Sequence, residues 1–87
     1  MEIVYTEEAQ EDIVFWRKSG NKQIQKKISQ LLQSIEENPT EGIGKPEMLK
    51  HNLTGFWSRR INQEHRLVYQ IAEEGDLIII HSLKGHY

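Results

Sequence analysis

Hydrophobic positions change period along this chain, and the changes divide it into elements. Glu2-Ile3-Val4-Tyr5 alternates and predicts a short strand. Thr6 is suited to cap a helix, with Glu7 and Glu8 in the first turn where the helix dipole favours anions. Ala9, Ile13 and Trp16 then recur at helical spacing, so a first helix is expected to run to about Lys18. Ser19-Gly20-Asn21 breaks it. Ile24, Ile28, Leu31, Leu32 and Ile35 make one apolar stripe on a second helix, with Gln and Lys on the other faces. Two helices so briefly linked should pack antiparallel and lay their stripes on a flat surface.

Asn38-Pro39 stops the second helix. Residues 39–50 hold both prolines and show no periodicity, which reads as an ordered loop. Period two follows. Trp57, Arg59 and Ile61 alternate with Phe56, Ser58 and Arg60. Beyond a turn near Asn62-Gln63-Glu64, His65, Leu67, Tyr69 and Ile71 alternate with Arg66, Val68 and Gln70. A second turn at Glu73-Glu74-Gly75-Asp76 leads into Leu77–Ser82, apolar enough for a central strand. One strand, two helices and a three-stranded meander make an α+β domain, with helices on one face of a twisted, mostly antiparallel sheet. No internal repeat or low-complexity tract interrupts it.

Length sharpens this picture. The 87 residues are expected to form a single domain over 1–87. A chain of this size buries roughly 60–70% of its unfolded surface, so a partner that covers surface would help it. There is no cysteine, which excludes disulfides, thiolate catalysis and Cys-based zinc sites. The acidic opening Met1-Glu2-Ile3 is unlike a secretory signal. The longest aliphatic run, Leu77 to Ile80, is far short of the ~20 residues that span a bilayer. A cytoplasmic protein without membrane contact is expected.

Formal net charge is −2, which at first argues against a nucleic-acid partner. The charges are segregated, however. Acidic residues crowd Glu7 to Asp12 and Glu73 to Asp76, while residues 45–66 carry Lys45, Lys50, Arg59, Arg60 and Arg66 against Glu47 and Glu64. A phosphate responds to the local field, so a basic surface is compatible with an acidic average. Ordinary solvated charges would give the same composition.

Three features could carry chemistry. The chain closes on His86-Tyr87, straight after an apolar strand, although chain ends usually tolerate anything. Histidine suits proton transfer near neutrality. Gly42-Ile43-Gly44-Lys45-Pro46-Glu47 shapes a loop that delivers a carboxylate flanked by Lys45 and Lys50, though a solvated glutamate is the ordinary reading. Arg59, Arg60 and Arg66 lie on neighbouring strands of one hairpin. Arg59 and Arg60, being successive, should face opposite sides of the sheet. A carboxylate base, an arginine and a histidine acid are together the parts of RNA self-cleavage by transesterification. No cofactor is called for. His51, His65, His81 and His86 show no metal-ligand spacing, so no metal site is expected, and His65 and His81 read as packed strand residues.

The run from Glu41 to Ile61 strongly resembles the YoeB (Txe) toxins of the RelE superfamily, as do Glu64-His65-Arg66-Leu67-Val68-Tyr69 and the terminal His86-Tyr87. The similarity covers essentially the whole chain, and its motifs are long and ungapped. It implies a compact α+β ribonuclease fold, cleavage of mRNA in the ribosomal A site, neutralisation by a YefM-type antitoxin, and often a homodimer. Under it the base falls on Glu47, the phosphate-binding arginine on Arg66, the general acid on His86 and the terminal tyrosine on Tyr87. Lys50 and Arg60 become supporting basic contacts to RNA, with Lys45 and Arg59 beside them. The chain departs from the family pattern at Gly85, where an aromatic is expected, and at Lys84, where an arginine is expected. The runner-up is a non-catalytic relative in the same superfamily that poisons a protein such as a gyrase by binding. Those relatives tend to lack the acid–base residues. A purely structural domain would leave the glycine-proline loop and the His-Tyr terminus unexplained.

Overall fold

The computed structural model describes residues 1–50, 55–72 and 75–85. Its elements are β1 (Glu2–Tyr5), α1 (Glu7–Ser19), α2 (Lys22–Glu37), β2 (Glu47–Met48), β3 (Phe56–Arg60), β4 (Arg66–Ile71) and β5 (Leu77–Ser82). They form a five-stranded sheet in the order β1-β5-β4-β3-β2, in which only the β1–β5 pairing is parallel. The expected α+β arrangement is the observed one. Two details differ. The meander has four strands, because the 39–50 loop contains β2, and β1 completes the sheet along the far side of β5. Two paired residues are too few to display a period of two, so β2 leaves no pattern in the sequence.

Local chemistry sets the helix ends. The Thr6 hydroxyl accepts the Ala9 amide at 3.1 Å and donates to the His81 carbonyl at 3.2 Å, so one side chain starts α1 and ties it to β5. Gly20 takes the left-handed conformation (φ 72°) that ends α1, and Asn21 caps α2 by accepting the Ile24 amide. Between them the chain reverses.

Ala9 and Trp16 from α1 and Ile24, Ile28, Leu31 and Ile35 from α2 meet Leu67, Tyr69, Ile78 and Ile80 of the sheet. Each fully buried aliphatic side chain contributes roughly 1.5–3 kcal/mol to folding. Leu32 is only half-buried, at the edge of the stripe. The second turn is described from Gly75, whose amide donates to the Ala72 carbonyl at 2.8 Å; Glu73 and Glu74 lie outside the described residues. Between β4 and β5 the register shifts, Val68 facing Ser82 and Tyr69 facing Ile80, which makes His81 the extra residue of a bulge.

Candidate active site

Strand alternation puts Leu67 and Tyr69 against the helices, so their neighbours face the other side. There Glu47, opposite Ser58, and Arg66, opposite Arg60, come onto one face of three adjacent strands. With Lys45 and Leu49 these residues line a cleft of about 120 Å³. Three cations and one carboxylate therefore share a small polar hollow. The sequence had singled out Glu47, Lys45, Arg60 and Arg66; it passed over Ser58, whose i, i+2 spacing from Arg60 was the available signal. Lys50 is exposed just beyond β2 and is not part of the lining. His86 and Tyr87 lie outside the described residues, as do His51 and Asn52 to Thr54 of the family-like run.

Arg59 corrects one expectation. It had been placed on RNA beside Arg60, but its side chain is 0% exposed and points to the helix side. Five hydrogen bonds occupy its guanidinium: Nε to the Tyr69 hydroxyl at 3.1 Å, Nη1 to Ser34 Oγ at 2.7 Å and the Ile43 carbonyl at 3.1 Å, and Nη2 to the Asn38 and Glu41 carbonyls at 2.7 and 3.0 Å. Tyr69 in turn donates to the Pro39 carbonyl at 2.7 Å. Burial raises the Tyr69 pKa above its ordinary value, and the bond from Arg59 opposes this in part. The phenol thus stays protonated and able to donate. Arg59 and Tyr69 therefore pin the loop from Asn38 to Ile43, which has few backbone partners of its own.

Immediately after that pinned stretch comes the cleft. The Arg60 amide donates to the Gly44 carbonyl at 2.6 Å. Gly44 has φ 83°, and a Cβ there would stand 2.6 Å from Leu31 Cδ2 and 3.1 Å from Arg59 Cβ, so only glycine fits. Lys45 follows at φ 53°, a conformation a lysine adopts only when its surroundings impose it. The backbone is forced round this corner and enters β2, where Glu47 pairs with β3.

Arg66 is placed from the turn before it. Its Nη1 donates to the carbonyls of Asn62, Gln63 and His65 at 2.8, 3.3 and 3.2 Å. Its backbone amide donates to the Gly85 carbonyl at 2.7 Å. The end of the described chain is thus attached at the residue that reaches the cleft. Gly85 itself is left-handed (φ 80°), a conformation that glycine adopts without strain. Lys84 sets its ammonium 4.0 Å from the centre of the exposed Phe15 ring.

Neither His65 nor His81 is in the cleft lining. His65 stacks edge-on against Trp16, with centroids 4.8 Å apart, and His81 pairs with Gln70 at 3.1 Å and packs on Phe56. His81 is a packed strand residue as expected, whereas His65 lies just before β4 rather than in it.

The family model of the YoeB-like toxin of bacterial type II toxin–antitoxin systems matches residues 5–87. The chain belongs to that family. The YoeB toxin of a Synechocystis species is 51% identical over 87 residues, spanning 100% of this chain and 98% of that protein. Among solved structures, the YoeB dimer of Staphylococcus aureus superposes with a TM-score of 0.88 at 49% identity, covering 100% of this chain and 98% of that one. The YoeB–YefM complex of the same organism superposes at 0.84 with 51% identity, covering 98% and 95%. For this YoeB-like toxin the agreement extends over the strands that line the cleft.

Proposed function

We propose that this YoeB-like toxin is an endoribonuclease that cuts mRNA in the ribosomal A site without a metal ion. The observation that carries the reading is the meeting of Glu47 with Arg60 and Arg66 in one polar cleft. In the proposed step the Glu47 carboxylate takes the proton from a ribose 2′-hydroxyl, and the freed oxygen attacks the adjacent phosphorus. The bond from phosphorus to the 5′-oxygen breaks as His86 protonates that oxygen. The products are a 2′,3′-cyclic phosphate and a free 5′-hydroxyl. Arg66 stabilises the charge on the phosphorane, Tyr87 contacts the reacting nucleotide, and Lys45, Lys50 and Arg60 hold the RNA backbone. A gyrase-binding toxin has no need of a carboxylate set among cations, and this favours the nuclease.

Partners follow the relatives. Staphylococcus aureus YoeB has been solved as a dimer and in complex with YefM. The present toxin is proposed to form a homodimer and to be neutralised by a YefM-like antitoxin. The hollow on its own supplies few contacts, so the ribosome is assigned the task of holding mRNA in line for attack.

The test is single-turnover cleavage of one message on programmed ribosomes, with end mapping. Cutting in the A-site codon with 2′,3′-cyclic ends, slowed about 10²-fold or more by Glu47→Gln, is expected, and the slow cleavage of ribosome-free RNA should persist in EDTA. A wild-type protein that leaves the message intact, or a Glu47→Gln variant that cuts as fast as wild type, would overturn the reading.

A further inference from the structure

Beyond Ser82, where β5 ends, the segment 83–85 lies outside any helix or strand. Here it is held at two residues. The Leu83 amide donates to Asp12 Oδ2 at 2.8 Å, and the Leu83 carbonyl accepts from Trp16 Nε1 at 2.8 Å. Asp12 is only 7% exposed and Leu83 is fully buried. Gly85 is held likewise: its amide donates to His65 Nδ1 at 2.9 Å, and its carbonyl accepts the Arg66 amide at 2.7 Å. The edge-on contact between His65 and Trp16 joins the two grips into one cluster.

Burying a carboxylate and an indole N–H is costly unless both are paired. Both have their partner on Leu83. His65 can accept the Gly85 amide only as a neutral imidazole with its proton on Nε2. Arg66 offers its backbone to Gly85 and its side chain to the cleft, so the tail is registered against the phosphate-binding residue itself.

We propose that His65, with Asp12 and Trp16, is a positioning residue that fixes residues 83–85, the segment from which His86 and Tyr87 continue. This rests on the reading of His86 as the general acid. Misplacing a reacting group by about 1 Å can cost on the order of 10²-fold in rate.

Two substitutions separate the acceptor from the ring. His65→Phe keeps a ring against Trp16 and removes the acceptor. His65→Asn keeps an acceptor near the Nδ1 position and removes the ring. Hydrogen exchange at the Gly85 amide and single-turnover cleavage on programmed ribosomes are measured for each. In His65→Phe, Gly85 should exchange faster, and the cleavage rate constant should fall about tenfold or more with half-saturation little changed. His65→Asn should recover most of both. A variant that was merely less folded would lose amplitude and keep its rate constant. Unchanged Gly85 exchange in His65→Phe overturns the clamp whether or not the protein cleaves RNA. Faster exchange with a wild-type rate constant overturns its role in positioning, and so does equal loss in Asn and Phe. If His65→Phe does not fold, His65→Ala at this half-buried position takes its place under the same criteria. A wild-type protein that fails to cleave counts against the nuclease reading alone, since the exchange measurement stands apart from it.

Discussion

Arg60 on β3 and Arg66 on β4 are direct cross-strand partners, two cations side by side on the face that lines the cleft. Like charges directly opposite destabilise a sheet by roughly 0.2–1 kcal/mol. A sheet shaped by stability alone would put opposite charges there, and a polyanion is what both arginines could serve. Arg60→Thr should therefore raise the urea midpoint while slowing cleavage on ribosomes. Equilibrium unfolding and single-turnover assays on the same preparation check the pair of effects. A lower midpoint would mean that Arg60 contributes more through its own packing than the repulsion costs.

Arg59 makes the opposite trade. Replacing it with Met leaves the Ser34 hydroxyl and the carbonyls of Asn38, Glu41 and Ile43 without their donor. Each buried group so orphaned costs about 1–3 kcal/mol unless water reaches it, and water reaches these by loosening the loop that leads to Glu47. Arg59→Met should lose at least 3 kcal/mol or so of stability by the same bookkeeping. Arg59→Lys, with one donor group in place of a fork, should fall between. Thermal and urea unfolding measure this directly, and a midpoint within error of wild type would refute the assignment.

Most of the framework was legible because it is written in periodicity. The Ile24-to-Ile35 stripe and the alternation around Leu67 and Tyr69 each point one face at the core, and that face is where they lie. The opposed facing of Arg59 and Arg60 was also readable from pleat geometry. Their roles were not. Whether an arginine meets solvent or a ring of carbonyls depends on where the 38–44 loop returns, and a sequence without periodicity does not encode that visibly. The same is true of β2 and of the grips on Leu83 and Gly85, which join residues 71 and 20 positions apart.

His81 gives the fold a pH dependence. Burial lowers its pKa below the ordinary value of 6.5, with Glu8 pulling the other way. A depressed pKa means that the unfolded chain takes up the proton first. The stabilising contribution is therefore complete above 6.5 and is lost as pH falls through the lower folded value. The melting temperature of wild type should drop between about pH 7.5 and pH 5 by more than that of His81→Phe, which has no such proton to gain. Identical pH slopes for the two proteins would show that other groups account for the dependence.

Deleting His86 and Tyr87 separates chemistry from fold. Every described hydrogen bond that secures the tail ends at or before Gly85: Asp12 and Trp16 on Leu83, His65 and Arg66 on Gly85. A chain that stops at Gly85 keeps all of them and gains only a terminal carboxylate. Its unfolding midpoint should stay close to that of the full chain. Cleavage should be another matter. Loss of a general acid costs typically about 10²–10⁴-fold, because the departing 5′-oxygen must then leave as an alkoxide. The measurement is a single-turnover rate on programmed ribosomes beside a melting curve for the same truncated protein. A stable, truncated protein that still cut message at the full rate would remove His86 and Tyr87 from the mechanism. Another group would then have to be found to protonate the leaving oxygen.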